Sequence, residues 1–393
     1  MDPFDFSMPT RIVFGPGRED ETGRLVLESG GSRALVLFGG GSARRTGLLA
    51  RVERSLCEAQ VEFVELGGVR SNPGSGLVYE GIRRCRAEGV DFVLAVGGGS
   101  VIDTAKAVAA GVCYPGDVWD FYAGDAAPLE ALPVGVVLTI AASGSEASPD
   151  SVITRDETLL KRETSSRVLL PRFAVMDPEL TETLPAYQTA CGITDMLSHA
   201  LERYLTNTPE VETSDRLLEG LMLAIVAEAP QVMADPHDHE ARANLMWAAC
   251  LAHNDVAGVG RSQDWASHDI EYALSSRFGC AHGAGLAVVM PAVMRYTCGH
   301  DSERLAQLAV RVWGCEASAK GPEATAREGI ARFRGFLASL GMPVTLGEIG
   351  ARADDVEAMA YETCHAGGRT GRVGGFVSLG EKDVRRIFEL ALR

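Results

Sequence analysis

Two pairs of residues in the second half of this 393-residue chain have the types and spacing of metal ligands: Asp195 with His199, and His268 with His282. The first pair lies in GITDMLSHALERYL, a stretch with helical periodicity, where a separation of four places both side chains on one helix face. The second pair flanks the run HDIEYALSSRFGCAHG. Three neutral imidazoles and one carboxylate suit a borderline divalent cation, Fe²⁺ or Zn²⁺, without choosing between them. An Asp–His pair at this spacing is more often a helix-stabilising contact, so the weight rests on the four residues together. His237, His239, His253, His300 and His365 read as structural or surface residues.

Glycine loops supply a second chemistry. Gly97-Gly98-Gly99-Ser100 follows the apolar run DFVLAV and opens the helical stretch VIDTAKAVAA. Glycines let the backbone approach a phosphate, and a helix start offers N–H groups to an anion. An earlier loop, Gly39-Gly40-Gly41-Ser42, follows RALVLF, where an adenosine ribose is expected. NAD sites usually carry a carboxylate at that place. Here the run is GGGSARR, so Ser42 with Arg44 or Arg45 points to NADP over NAD. A third loop, TIAASGSE (139–146), has the small and hydroxyl residues that suit a nicotinamide and its ribose. A metal near a dinucleotide would make the chain a dehydrogenase.

The elements that must position these residues change character along the chain. Apolar strand-like runs alternate with helical ones up to about residue 185, as for a mostly parallel sheet covered on both faces. Beyond it come long helical periodicities and almost no strands. The expectation is an α/β dinucleotide-binding domain over 1–185 and an all-helical, metal-binding domain over 186–393, with a flexible loop GGRTGRVGG (367–375) before a last helix. A net charge of −16 disfavours nucleic acid and anionic membranes as partners. No transmembrane run or targeting segment is read, and nine scattered cysteines without a CxxC pair fit a reducing cytoplasm. Apolar faces on the long helices suggest a homodimer.

Together the segments GGGSVIDTAK (97–106), TIAASGSEAS (139–148), DPELTETLP (177–185), GITDMLSHALERY and WASHDIEYALSSRFGCAHGAGLAVVMPAVMRY (265–296) resemble the iron-containing (group III) alcohol dehydrogenase family. The likeness is closest to its NADPH-dependent butanol dehydrogenase and aldehyde reductase subgroup. It implies a Rossmann-like domain and a helical domain in a dehydroquinate synthase-like architecture, with the active site between them. It implies a metal bound by Asp195, His199, His268 and His282. It also implies cofactor contacts from Gly39, Gly40, Ser42, Asn72, Gly98, Gly99, Ser100, Asp103, Thr139, Ser145 and Lys161. The family's further histidine on the helix of His268 is Tyr272 here, a residue able to donate or relay a proton.

The implied reaction interconverts a small primary alcohol and its aldehyde. The metal would polarise the substrate oxygen while hydride passes to or from nicotinamide C4 at roughly 3–3.5 Å. A dehydroquinate-synthase-like lyase would need a cluster of basic residues around the metal, and residues 185–300 hold few. A glycerol-dehydrogenase-like enzyme usually offers a different ligand set, and an inactive metal- or nucleotide-binding protein would not be expected to keep all four ligands.

Overall fold

The computed structural model describes residues 1–366 and 371–393, so the expected loop at 367–375 lies partly outside the described residues. The chain divides into two compact units. One comprises residues 7–184 and 237–254, the other residues 1–6, 185–236 and 255–393.

The first unit is built on strands β1 (Arg11–Phe14), β2 (Arg33–Gly39), β3 (Glu62–Val69), β4 (Phe92–Gly97), β5 (Val134–Leu138), β6 (Asp150–Thr154), β7 (Lys161–Ser165) and β8 (Phe173–Met176). Six of them form one parallel sheet in the order β1-β8-β5-β4-β2-β3. Helices α1 (Thr22–Glu28), α2 (Ser42–Arg45), α3 (Leu48–Glu58), α4 (Ser75–Glu88), α5 (Gly99–Cys113) and α6 (Trp119–Ala123) connect the strands. The near-continuous apolar strands follow from coverage on both faces. Leu35, Leu37, Val93 and Ala95 enter one core, while the alternate residues Ala34, Val36, Phe92 and Leu94 enter the other. From β2 the chain moves outward to β3, then returns to place β4 on the other side of β2. The carboxyl ends of β2 and β4 therefore flank the point where the winding reverses, where open α/β sheets bind ligands. Both glycine triplets sit there. A separate antiparallel hairpin, β6 with β7, was not anticipated from its polar sequence.

The second unit contains α7 (Ala186–Tyr204) and α8 (Glu212–Ala234). The next helix, α9 (His239–His253), lies beyond the expected boundary near 185 yet packs with the α/β unit, because Met246 and Cys250 enter the core beside α5. The second unit then continues with α10 (Ala266–Phe278), α11 (His282–Thr297), α12 (Ser302–Arg311), α13 (Pro322–Ser339), α14 (Val356–His365) and α15 (Glu381–Ala391). It is not wholly helical, since β9 (Arg372–Val373) and β10 (Leu379–Gly380) form a two-residue antiparallel ladder.

By length and a mean hydropathy of 1.5, α8 passes for a helix long and apolar enough to cross a membrane among the described residues, although Glu212, Asp215, Arg216, Glu219 and Glu228 interrupt it. Two of its carboxylates are paired with arginines. Asp215 pairs with Arg261 and Arg304 at 2.5 Å, and Glu219 pairs with Arg216 and Arg311 at 3.0 Å.

Candidate active site

In the helical unit, α7 carries Asp195 and His199 on one face, His268 lies in the first turn of α10, and His282 begins α11. A reversal at Gly279, with φ at +63°, ends α10 and lets α11 return against it. Oδ1 of Asp195 lies 3.9 Å from Nε2 of His199, 3.9 Å from Nε2 of His268 and 3.7 Å from Nε2 of His282. These separations exceed hydrogen-bond range. Oδ1 of Asp195 and Nε2 of His268 are buried and have no hydrogen-bond partner among the described residues. Bonds of about 2.0–2.1 Å to a tetrahedral cation would put donors roughly 3.4 Å apart, a few tenths of an ångström closer. The donor set therefore fits a shared divalent cation.

The atoms of Asp195, His268 and His282 lie within 4.8 Å of one another. His199 is the looser member, reaching the carboxylate and stacking on His268 with 4.8 Å between ring centroids.

Two carboxylates that the sequence reading missed orient these rings. Glu202 accepts from Nδ1 of His268, and Glu271 accepts from Nδ1 of His282. That turns each Nε2 towards Asp195. Burial disfavours charge on His268, but Glu202 holds its imidazole above the ordinary value. Both glutamates sit three residues after a ligand, the helical spacing that could have flagged them. Tyr272 lies one turn beyond His268, buried, with its ring centroid 6.2 Å from that of His282.

In the α/β unit the residues expected to hold a dinucleotide line the strand ends. Gly39 closes β2, Gly40 follows it, and Ser42 begins α2. Asn72 takes the left-handed conformation in the turn from β3 to α4, at φ +52°. Gly98 caps α5, and Gly99 and Ser100 are its first residues. Thr139 follows β5, and Lys161 opens β7 as a buried residue. The loops after β4 and β5 abut. Thr139 N–H donates to Gly97 O at 3.1 Å, and a Cβ on Gly99 would meet Ser143 Oγ at 2.4 Å.

The two arginines of GGGSARR separate. Arg44 pairs with Glu65 on β3 and lies 4.7 Å over the Phe38 ring. Arg45 is exposed, with Nη1 3.4 Å from the place of a Cβ on Gly41. Arg44 is thus committed to the sheet edge, and Arg45 is the one beside the glycine loop.

Asp103 and Ser145 are engaged with each other. Ser145 Oγ donates to Asp103 at 2.7 Å, and Asp103 also accepts from Val152 N–H at 3.2 Å. Lys106, absent from the sequence reading, is fully buried beneath them. Its Nζ donates to Ser145 Oγ at 3.0 Å, Ser148 O at 2.8 Å and Asp150 O at 2.7 Å. Burial pushes its pKa down to about 8 against the pull of Asp103, Asp150 and Glu146.

Burial pushes the neighbouring Glu146 up to about 7 from an ordinary 4.5. As pH falls the folded state binds this proton before the unfolded state does, so stability rises from about pH 7 down to about 4.5. The shift corresponds to a cost of about 3 kcal/mol at alkaline pH. Glu146→Gln is expected to melt above the parent at pH 8, with the gap closing towards pH 5 in paired thermal scans.

A doubly wound sheet with glycine loops at its switch point, joined in one chain to an Asp–His₃ cluster, defines an alcohol/aldehyde oxidoreductase. The comparisons agree. Residues 9–178 match the iron-containing alcohol dehydrogenase description, and residues 189–392 match its C-terminal counterpart. Over 394 residues the chain is 38% identical to a probable NADH-dependent butanol dehydrogenase of Bacillus subtilis, covering 100% of both. It is 34% identical over 400 residues to the NADPH-dependent aldehyde reductase of Escherichia coli, again 100% of both. The crystal structure of NADH-dependent butanol dehydrogenase A from Thermotoga maritima superposes with a TM-score of 0.97 at 37% identity, covering 100% of this chain and 99% of that one. The chain belongs to the iron-containing alcohol dehydrogenase family.

Proposed function

We propose that the chain interconverts small primary alcohols and aldehydes with NADP(H), using Fe²⁺ or Zn²⁺ held by Asp195, His199, His268 and His282. One observation carries the reading: a buried carboxylate oxygen faces three imidazole nitrogens at 3.7–3.9 Å with no hydrogen-bond donor of its own among the described residues. A cation held there supplies Lewis acidity to the substrate oxygen.

The protein's own groups do the rest. Glu202 and Glu271 fix the tautomer and direction of His268 and His282, as carboxylates beside metal-binding histidines do. Glu202→Gln is expected to weaken metal affinity about 10–100-fold, read by competition with a coloured chelator. Tyr272, whose ring centroid lies 6.2 Å from that of His282, is the hydroxyl on α10 that would give the product oxygen of aldehyde reduction its proton. Tyr272→Phe is expected to lower kcat about 10²-fold with KM little changed, as for loss of a positioned general acid. An unchanged kcat would pass the proton step to water or a ribose hydroxyl.

The preference for NADP(H) rests on a ribose loop without a carboxylate and with Arg45 beside it. Homodimer formation is supported by Leu217 and Leu223, exposed on α8. A reducing, cytoplasmic setting is supported by nine scattered cysteines with no disulfide among the described residues.

The test is butanal-dependent oxidation of NADPH and of NADH by protein stripped with chelator and reloaded anaerobically with Fe²⁺ or Zn²⁺. Turnover that vanishes on stripping, returns with one metal and is faster with NADPH is expected. No turnover with either nucleotide despite bound metal would overturn the proposal, and faster turnover with NADH would overturn its cofactor.

A further inference from the structure

We infer that His253 is a positioning residue for the nicotinamide side of the nucleotide site, acting through the loop after β5. The inference rests on the proposed reading of that loop as a nicotinamide contact. His253 is the last residue of α9, the helix that packs into the α/β unit although it follows the helical segment 185–236.

Three observations join it to the loop. Gly144 adopts φ +64°, and a Cβ there would meet His253 Cβ at 2.5 Å and Ala249 O at 2.9 Å. The loop backbone therefore lies directly on α9, and only glycine meets both demands. Nδ1 of His253 donates to Ser143 O. Nε2 of His253 donates to Asp150 Oδ2 at 3.1 Å. Each ring nitrogen thus faces an acceptor, one on the loop and one on β6. Burial alone would raise Asp150, but the bond and charge of His253 hold it below the usual carboxylate range.

The consequence follows from peptide planarity. With the Ser143 carbonyl held towards α9, the Gly144 N–H of the same trans peptide points to the opposite side of the loop. That N–H has no hydrogen bond among the described residues. It is a donor presented by the loop, aimed by His253. The other anchor, Asp150, begins β6 and so fixes the hairpin that carries Lys161.

The experiment compares His253→Leu, which removes both bonds, with His253→Asn, which keeps a donor for the Ser143 carbonyl. NADPH and NADH affinities are read by nucleotide fluorescence. ADP, which lacks the nicotinamide and its ribose, is read by calorimetry. For His253→Leu the expected result is about tenfold weaker binding of the better dinucleotide, about one hydrogen bond's worth, with ADP within about twofold of the parent. His253→Asn should recover to within about threefold. Equal weakening of ADP and dinucleotide, in the Asn variant if the Leu variant does not fold, would mark a merely structural role and overturn the inference. So would unchanged binding of both. A parent that binds neither dinucleotide would overturn the nucleotide reading beneath it, a result distinct from the other two.

Discussion

Asp195→Asn is expected to leave the protein folded, without its metal, and with kcat/KM for aldehyde reduction lowered about 10³-fold or more. The substitution is nearly isosteric, so the packing of α7 is kept. What changes is the charge of one buried oxygen, which stands 3.7–3.9 Å from three imidazole nitrogens. Its loss removes the set's sole anionic donor. Losing an outer carboxylate alone typically costs about 10–100-fold in metal affinity, and losing a direct ligand should cost more. Lewis-acid assistance is worth several kcal/mol, and each 1.36 kcal/mol is about tenfold in rate, which sets the expected 10³.

Metal content per chain and thermal melting separate this from misfolding. Metal at about 100 times its dissociation constant should stabilise the parent by about 2.7 kcal/mol. Its melting point should then rise with added Fe²⁺ or Zn²⁺, while that of the variant stays still. A variant that retains stoichiometric metal and turnover would remove Asp195 from the ligand set.

The Asp–His cluster was legible where its geometry is local and hidden where it is not. Asp195 and His199 share one helix, so a separation of four residues predicts their common face. Nothing local predicts that His268 and His282 meet the same oxygen, because that depends on the reversal at Gly279 and the packing of α10 and α11 against α7. Glu202 and Glu271 read as ordinary surface charges until the rings they orient are in place. The parallel sheet was legible from its apolar runs, whereas β6 and β7 are largely polar and form a separate antiparallel ladder. Helix α9 looks like its helical neighbours in composition, and only Met246 and Cys250, inserted beside α5, reveal which core it joins. Arg44 and Arg45 were equivalent in sequence, and Glu65, which lies on another strand, distinguishes them.

Lys106 is the sharpest example, since lysine is almost never fully buried unless paired. Lys106→Met is expected to lower stability by about 3–5 kcal/mol, the usual result of removing one partner from a buried charge cluster. For a domain of this size that is a fall of roughly 6–20 °C in the melting point. Methionine fills nearly the same volume, so a packing defect would not account for the loss. The cause would be electrostatic. Burial raises Asp103 and Glu146, Lys106 draws Asp103 back down, and His253 holds Asp150 low, all within one network. Without Lys106, Asp150 keeps His253, but Asp103 keeps only Ser145 Oγ and Val152 N–H. The carbonyls of Ser148 and Asp150 also lose their donor.

The compensating change follows from that accounting. Lys106→Met combined with Asp103→Asn removes the stranded charge and should recover a large part of the loss, because the two sites are coupled through Ser145. Thermal scans of the two single variants and the double variant measure this coupling directly. If the losses simply add, the lysine does not balance Asp103, and its burial serves the Ser148 and Asp150 carbonyls alone.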